Sequence, residues 1–260
     1  MTLEFTFGII DTAQAALYTA CVQDREGGEK LKIGGLQKLT LLDYPGRTAC
    51  TLFLSGCDFR CPFCHNSGLL DGTDTPEAMS EDELFVFLEK RKNMLDGICV
   101  SGGEPLMDPD IEDLLTKIKT IGYDIKIDTN GSYPDRLKDI VKNGLTDSVA
   151  MDIKNSKEKY SLTAGAGPEI VSRIDESVEF LMSGAVDFEF RTTVVKEFHD
   201  SSDFEEIGKW IRGPERYYIQ TFRNSDAVMS AGLHPPDRED LANYLNTVRQ
   251  YVPAAELRGD

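Results

Sequence analysis

The regular alternation of short apolar segments with longer amphipathic segments constrains the fold of this 260-residue chain more than any other feature. The short segments are rich in β-forming residues and lie at 49–54, 97–100, 124–127, 148–153, 188–195 and 217–221. The amphipathic segments follow them at 80–92, 109–120, 134–142, 169–182, 201–211 and 237–251. Consecutive β-then-α units predict an α/β fold with a parallel sheet covered by helices, built either as a partial barrel or as a doubly wound sheet.

The length of the chain suits a single core, since one α/β barrel commonly has about 250 residues. We therefore expect one domain at 31–260. Residues 1–30 differ in composition, because a short apolar start gives way to the polar run 23–30. We interpret them as an N-terminal extension of unknown role.

The chain is strongly acidic, with 28 Lys and Arg against 45 Asp and Glu, a net charge of −17 and a pI of about 4.6. Such a surface disfavours binding to nucleic acid or to an anionic membrane. No apolar stretch reaches the roughly 18 residues of a membrane span, and no secretory signal is apparent. We therefore expect a cytoplasmic protein whose six cysteines are metal ligands or buried thiols.

Three cysteines follow the first predicted strand with the spacing Cys-x3-Cys-x2-Cys, at Cys57, Cys61 and Cys64. Three thiolates can hold three irons of a [4Fe-4S] cubane and leave the fourth iron open to a bound molecule. A ferredoxin-type site would use a fourth cysteine. The alternative is a zinc knuckle completed by His65, but neighbouring residues such as Cys64 and His65 rarely converge on one tetrahedral ion.

Other residues near the loop have simpler predicted roles. Phe59 and Phe63 are expected to keep water away from a reduced cluster. Cys21, Cys50 and Cys99 lie outside the ligand spacing. Because Cys50 and Cys99 fall in apolar strands, we expect them to be small core residues.

The cysteine loop, with the aromatic Phe63 directly before its third cysteine, resembles the signature of the radical S-adenosylmethionine (SAM) superfamily. The preceding segment GLQKLTLLDYPGR at 35–47 and the sequence Cys-His-Asn at 64–66 are similar to the activating enzymes of glycyl radical enzymes. Within that family they most resemble the activating proteins of anaerobic ribonucleoside-triphosphate reductase. The resemblance covers about residues 31–225. It implies a partial (β/α)6 TIM-like barrel of the radical SAM type, with the [4Fe-4S] cluster on the three cysteines.

The second predicted strand ends in the sequence Ser-Gly-Gly-Glu-Pro. Its two glycines permit a close backbone approach to a ligand, and the Glu104 carboxylate would suit an ammonium group. Taken alone, the sequence is equally typical of an ordinary strand-to-helix turn. The resemblance implies that Gly102, Gly103 and Glu104 bind the amino group of the methionine part of SAM. It also implies that Phe63 and Asn66 lie at the cofactor.

The third and fourth predicted strands end in Asp128-Thr129 and in Asp152, followed by Lys154. Two carboxylates and a hydroxyl offer only oxygen ligands, which suit a hard cation. Taken alone, Asp128 is equally typical of a helix N-cap or an Asx-turn. The resemblance implies a monovalent cation on Asp128, Thr129 and Asp152 beside the SAM carboxylate, with Asp128, Asp152 and Lys154 at the cofactor.

The last two strands carry weaker signals. Polar residues that we expect near the pocket are Arg191, Thr192, Thr193 and Gln220. His199 and His234 lie in predicted loops, where a solvated histidine is more common than a catalytic one.

The resemblance implies that the cluster cleaves SAM to a 5′-deoxyadenosyl radical, which abstracts a glycine hydrogen from a partner enzyme and leaves a glycyl radical. The first expectation for that partner is anaerobic ribonucleoside-triphosphate reductase. The alternatives are activation of pyruvate formate-lyase or another glycyl radical enzyme, a small-molecule reaction such as deazapurine synthesis, and a non-enzymatic zinc or iron–sulfur module.

The source of the electron also follows from the cysteine pattern. The chain lacks a second cysteine-rich insert between the loop and Gly102, so we expect an external flavodoxin or ferredoxin as donor. Because such donors are usually acidic, docking onto this acidic chain requires a local basic patch. The expected patch near the cluster loop consists of Lys38, Arg47 and Arg60.

Overall fold

Eight strands form one sheet in the computed structural model, which describes residues 31–71 and 78–259. The strands are β1 (Ile33–Thr40), β2 (Ala49–Leu54), β3 (Gly97–Gly102), β4 (Asp124–Thr129), β5 (Ser148–Asp152), β6 (Asp187–Val194), β7 (Tyr217–Thr221) and β8 (Ala255–Arg258). They lie side by side in chain order. β1 pairs antiparallel with β2, and all later neighbours are parallel. The predicted extension 1–30 lies outside the described residues.

The helices of the described residues connect these strands. They are α1 (Glu81–Arg91), α2 (Ile111–Ile121), α3 (Pro134–Lys142), α4 (Tyr160–Ala164), α5 (Ile170–Met182), α6 (Ser201–Trp210) and α7 (Arg238–Arg249). All except the short α4 were predicted. The capping box at the start of α1 is present, with the Glu83 amide donating to Ser80 Oγ at 3.3 Å. None of these described helices is long and apolar enough to span a bilayer.

The sheet is an open barrel. β1 and β8 form its two ends, and no ladder joins them in residues 31–71 and 78–259. A doubly wound sheet reverses its strand order, whereas parallel neighbours in strict chain order curl into a barrel. The partial barrel is therefore confirmed. The sequence did not indicate β1 or β8, because β1 contains Gly34 and Gly35 among polar residues and β8 has only four residues.

Alternate residues of each strand face the helices and the barrel interior. In β4, Ile125 and Ile127 belong to the apolar core beneath the helices. Lys126 and Asp128 point the other way and form an ion pair with each other. The barrel interior therefore carries charge, and the carboxyl ends of the parallel strands border one cavity.

Candidate active site

The cavity at the carboxyl edge of the sheet has a volume of about 440 Å³ and is lined by Cys57, Cys61 and Cys64. Cys61 is buried, and Cys57 and Cys64 are half-buried. Burial raises the pKa of Cys57 to about 12 and the pKa of Cys61 to about 11. Free thiols of this kind stay protonated at neutral pH, so they become thiolates when they ligate a metal.

Hydrogen bonds fix the cysteine loop against its surroundings. The Gly56 amide donates to the Leu69 carbonyl at 2.7 Å, and the Arg60 amide donates to the Ala164 carbonyl at 3.0 Å. The Arg60 guanidinium also donates to the Cys57 carbonyl at 2.6 Å. Protein contacts therefore set the loop conformation and hold the thiols toward the cavity.

Two glycines join the cysteine loop to the end of β3. A Cβ on Gly103 would lie 2.0 Å from the Gly56 carbonyl oxygen, and a Cβ on Gly102 would lie 2.2 Å from the Leu54 carbonyl oxygen. The Asn66 side chain closes the same junction by donating to the Gly102 carbonyl at 2.9 Å. Packing between two loops therefore requires both glycines. The predicted contacts of Gly102, Gly103 and Asn66 with SAM stay predictions.

Glu104 is 2% exposed and does not line the cavity in the described part of the chain. Its carboxylate accepts hydrogen bonds from the Asn130 amide at 2.6 Å, the Thr129 hydroxyl at 2.8 Å and the Leu106 amide at 3.0 Å. Burial raises the pKa of Glu104 to about 8 despite these donors. The side chain links the ends of β3 and β4, and its predicted contact with the SAM amino group stays a prediction.

Asp128 and Asp152, at the ends of β4 and β5, form a network with three basic side chains. Arg191 bridges them, with Nη1 3.0 Å from Asp128 Oδ2 and Nε 3.0 Å from Asp152 Oδ1. Lys154 Nζ lies 2.8 Å from Asp152 Oδ2, and Lys126 Nζ pairs with Asp128 Oδ1. Burial opposes ionisation of both carboxyls, but these cations outweigh it and hold each pKa below its ordinary value. Three cations against two carboxylates leave this network with one net positive charge, and the Asp43 carboxylate lines the same cavity.

The predicted monovalent cation does not fit this arrangement. Each carboxylate oxygen of Asp128 and Asp152 already has a protein partner. The Thr129 hydroxyl donates to Glu104 and accepts from the Gly131 amide at 3.0 Å. A cation on Asp128, Thr129 and Asp152 is therefore unsupported.

The thiol arrangement distinguishes between a single metal ion and a cluster. Across residues 31–71 and 78–259, no group of three or more Cys, His, Asp or Glu side chains is arranged to ligate one metal ion. A zinc ion needs four ligands around one point, whereas a cubane takes each thiolate on a different iron. The three thiols that line one cavity match the three protein ligands that a cubane with one open iron needs. His65, the fourth ligand of the zinc alternative, instead packs on Phe222 with ring centroids 5.4 Å apart.

The structure brings most of the predicted site residues to the cavity wall. Besides the three cysteines, the predicted residues on this wall are Phe63, Asn66, Gly102, Gly103, Asp128, Thr129, Asp152, Lys154, Arg191, Thr193 and Gln220. Thr192 faces away from it, and its hydroxyl donates to the Ile153 carbonyl at 2.7 Å. Cys50 and Cys99 are buried in β2 and β3 as expected, and Cys21 lies outside the described residues.

The prediction for one histidine is wrong. His199 is buried, and its Nε2 lies 2.9 Å from the Lys154 carbonyl oxygen. Burial lowers its pKa, so the ring is neutral at pH 7 and helps to fix the backbone of Lys154. His234 is exposed as expected, and its Nδ1 lies 2.7 Å from a Glu197 carboxylate oxygen.

The predicted basic docking patch is also wrong for two of its three residues. Arg47 precedes the first residue of β2 and pairs with Asp124 at 2.8 Å. Lys38 lies near the same amino end, because Thr40 pairs with Ala49. The six residues of β2 span roughly 20 Å at about 3.3 Å each. The cysteine loop follows the carboxyl end of this strand, far from Arg47 and Lys38 at its amino end. Proximity in sequence therefore misled the prediction, because a whole strand separates the two segments.

Three residues at or below the cavity were not predicted from the sequence as site residues. Lys126 has a local signal, because it alternates with Asp128 around the apolar residues Ile125 and Ile127. The side-chain Nδ2 of Asn130 donates to the Asp58 carboxylate at 3.0 Å and lies 3.9 Å from Cys57 Sγ. Asp43 reaches the cavity from the loop after β1, a contact that no local pattern indicates.

The family described as the Radical SAM superfamily matches residues 51–211. This range contains the cysteine loop and the ends of β2 to β6 that border the cavity, but not the end of β7. The open parallel barrel and its three thiols therefore belong to a class of enzymes that use SAM and a [4Fe-4S] cluster.

Sequence relatives narrow this class. A protein of Methanocaldococcus jannaschii whose name places it among the glycyl-radical enzyme activating enzymes is 33% identical over 235 residues, which are 88% of this chain and 96% of the relative. The pyruvate formate-lyase-activating enzyme of Clostridium pasteurianum is 34% identical over 143 residues, which are 52% of this chain and 58% of that enzyme. The chain belongs to the radical SAM superfamily and, within it, to the activating enzymes of glycyl radical enzymes.

Solved structures agree with the fold. Streptococcus suis SuiB bound to S-adenosylmethionine has a TM-score of 0.61 at 15% identity, with 80% of this chain and 52% of that chain covered. TYW1 with a lysine-pyruvate adduct has a TM-score of 0.57 at 13% identity, with 94% and 90% covered. At these identities the likeness shows the fold alone.

Proposed function

We propose that the chain cleaves SAM at a [4Fe-4S] cluster bound by Cys57, Cys61 and Cys64 and installs a glycyl radical on anaerobic ribonucleoside-triphosphate reductase. The observation that carries the proposal is one cavity lined by the three thiols and by the ends of β3, β4 and β5. Residues 31–260 form the catalytic domain in this proposal, and residues 1–30 are an extension of unknown role. The similarity of segment 35–47 to the reductase activating proteins supports this choice of partner.

The cluster and SAM supply, when bound, the one-electron cleavage that yields the 5′-deoxyadenosyl radical. The side chains and backbone of this chain bind and orient the reactants. Gly102 and Gly103 present backbone atoms to the SAM amino group from a strand end that Glu104 holds in place. Lys154 and Arg191 attract the SAM carboxylate, because the network around them is net positive.

Exclusion of water is the second task of the protein. Phe63 is 4% exposed and packs against Phe198 with ring centroids 5.9 Å apart. Phe59 is 2% exposed beside the same thiols. These rings shield the cluster from solvent, which tunes its potential and protects reduced iron. No side chain needs to act as a general acid or base in this scheme.

The decisive experiment is anaerobic activation, followed by electron paramagnetic resonance. The reconstituted enzyme, SAM and dithionite are mixed with the reductase, and a glycyl radical signal is expected. Cys61→Ala in this chain and a glycine-to-alanine variant of the reductase are the matched controls, and neither should give the signal. Formation of 5′-deoxyadenosine without any radical on the reductase would contradict the proposed partner.

Activation of pyruvate formate-lyase is the second candidate, because an enzyme named for it is 34% identical over about half of this chain. The same assay with pyruvate formate-lyase as partner separates the two. A radical on pyruvate formate-lyase and none on the reductase would replace the first candidate by the second. Uncoupled SAM cleavage with both partners would favour a small-molecule substrate, such as the precursor of a deazapurine.

An external flavodoxin or ferredoxin is the proposed electron donor. Among the described cysteines outside the loop, Cys50 and Cys99 are buried in strands and offer no second cluster site. Arg60 is the docking residue that this proposal retains, since its side chain is half-exposed on the cysteine loop. Arg60→Glu should slow cluster reduction by the protein donor more than reduction by dithionite, with both rates compared at equal iron content because the Arg60 guanidinium also donates to the Cys57 carbonyl. Equal slowing by both reductants would contradict a docking role.

A further inference from the structure

Lys126 is a buried lysine whose charge the proposed chemistry does not use directly. Its side chain is 2% exposed in the interior of the barrel. Its Nζ pairs with Asp128 Oδ1 and lies 3.9 Å from Cys99 Sγ. The register of the sheet puts Lys126 between Cys99 of β3 and Ser148 of β5, which carry no charge. A buried lysine is costly unless it is paired, so the contact with Asp128 holds this ammonium group in place.

The position of Lys126 relative to the cavity gives it a definite role. Asp128 lines the cavity, whereas Lys126 lies beneath it in the barrel interior. Lys126 takes one oxygen of Asp128, and Arg191 takes the other while also holding Asp152. Lys126 beneath the cavity and Arg191 at its wall therefore neutralise the carboxylates. Lys154 and Arg191 stay at the cavity wall, where they can face an anionic group.

A bound metal cation at the same carboxylates would have to share oxygen atoms that already pair with cationic side chains. No carboxylate oxygen of Asp128 or Asp152 is without a partner. An added ion would lie close to three positive groups that already neutralise Asp128 and Asp152, in a partly buried site where screening by solvent is weak. Lys126, Arg191 and Lys154 therefore supply the positive charge that a bound monovalent ion would supply.

We infer that Lys126, acting with Arg191 and Lys154, replaces a bound monovalent cation, so that SAM binding by this chain needs neither Na⁺ nor K⁺. Lys126 is a positioning residue, because it acts on the cofactor through Asp128. The inference rests on the proposed function only in taking SAM as the ligand of the cavity. It is independent of which protein receives the radical.

The test compares cation dependence in the wild type and in Lys126→Met, which keeps a long apolar stem and removes the charge. SAM affinity of the anaerobically reconstituted full chain is measured by equilibrium dialysis in NaCl, KCl and choline chloride at equal ionic strength. The melting temperature of the protein without SAM is recorded in the same three salts. Lys209→Met, which removes an exposed lysine paired with Glu205 on α6, is the matched control.

The wild type and Lys209→Met should bind SAM equally well in all three salts. Lys126→Met should lose SAM affinity in choline by about tenfold or more, as expected when a buried carboxylate loses its partner. Na⁺ or K⁺ should then restore much of that affinity, because a small cation can enter the place of the lost ammonium group. Restoration by a metal ion is a result that a merely structural role would not produce.

Two results would overturn the inference. One is a wild type that loses SAM affinity in choline and regains it in NaCl or KCl, and this measurement stands even if Lys126→Met fails to fold. The other is a folded Lys126→Met that binds SAM like the wild type in choline. Failure of the proposed function is a separate outcome, namely cation-independent SAM binding without a glycyl radical on either partner enzyme.

Discussion

Gly103→Ala should destabilise the protein because it forces apart the two loops that border the cavity. The added Cβ would lie 2.0 Å from the Gly56 carbonyl oxygen and 2.7 Å from its carbon. These are backbone atoms, so no side-chain rotation relieves the clash. The Glu104 amide donates to the same carbonyl at 2.8 Å, and the Gly103 amide donates to the Leu54 carbonyl at 2.8 Å. Separation of the loops lengthens both hydrogen bonds.

The expected loss of stability follows from these contacts. Two buried donors that lose their acceptors would cost about 2–6 kcal/mol, and because these hydrogen bonds lengthen without breaking we expect a loss of about 2–4 kcal/mol. For a domain of this size that corresponds to a fall of roughly 5–15 °C in the melting temperature. Urea unfolding and thermal melting of the metal-free protein measure both quantities. Iron content after anaerobic reconstitution should fall as well, because the shifted carbonyl belongs to the residue before Cys57.

The control for this prediction is Gly68→Ala in the short turn after the cysteine loop. A Cβ on Gly68 meets no atom of residues 31–71 and 78–259 within 4 Å, so the stability of Gly68→Ala should differ from that of the wild type by less than about 0.5 kcal/mol. Equal stabilities of Gly103→Ala and Gly68→Ala would refute the argument from close backbone approach. A destabilised Gly103→Ala with full iron content would refute only the coupling to the cluster.

Three further predictions concern the charged and polar groups around the cavity. Burial raises the pKa of Glu104 from 4.5 to about 8, so its contribution to stability is present below about pH 4.5 and is lost as pH rises through about 8. Glu104→Gln should therefore flatten this part of the profile of unfolding free energy against pH, and an unchanged slope would count against the raised pKa. Thr129→Val should cost about 1–3 kcal/mol in urea unfolding, because the buried Glu104 carboxyl group loses a donor at 2.8 Å, and a neutral result would show that the hydroxyl is dispensable. Arg191→Lys keeps the charge but cannot bridge Asp128 and Asp152, so thermal melting should show a loss of about 1–3 kcal/mol, and wild-type stability would show that bridging is unimportant.

The sequence by itself determined six of the eight strands and six of the seven helices in the described residues, together with the cluster loop. Periodicity fixed the helix at 134–142 to the residue, and the capping pair Ser80 and Glu83 marked the start of α1. These signals depend on neighbours within one or two turns of the chain, and such neighbours are visible in a sequence. The spacing of the loop cysteines is local in the same sense, which is why three thiols could be assigned to one site.

Only the tertiary structure decided how the charges of the site combine. Arg191 is 63 residues from Asp128 and 39 from Asp152, yet it bridges the two carboxylates because β4, β5 and β6 are neighbours in the sheet. The sequence presented those carboxylates as free ligands for a cation, and it gave no reason to place Lys126 beneath them. Local patterns report which way a side chain points along its own strand, whereas its partner depends on strand order and register. The cysteine loop could therefore be assigned from its spacing alone, but the charge of the cavity beside it could not.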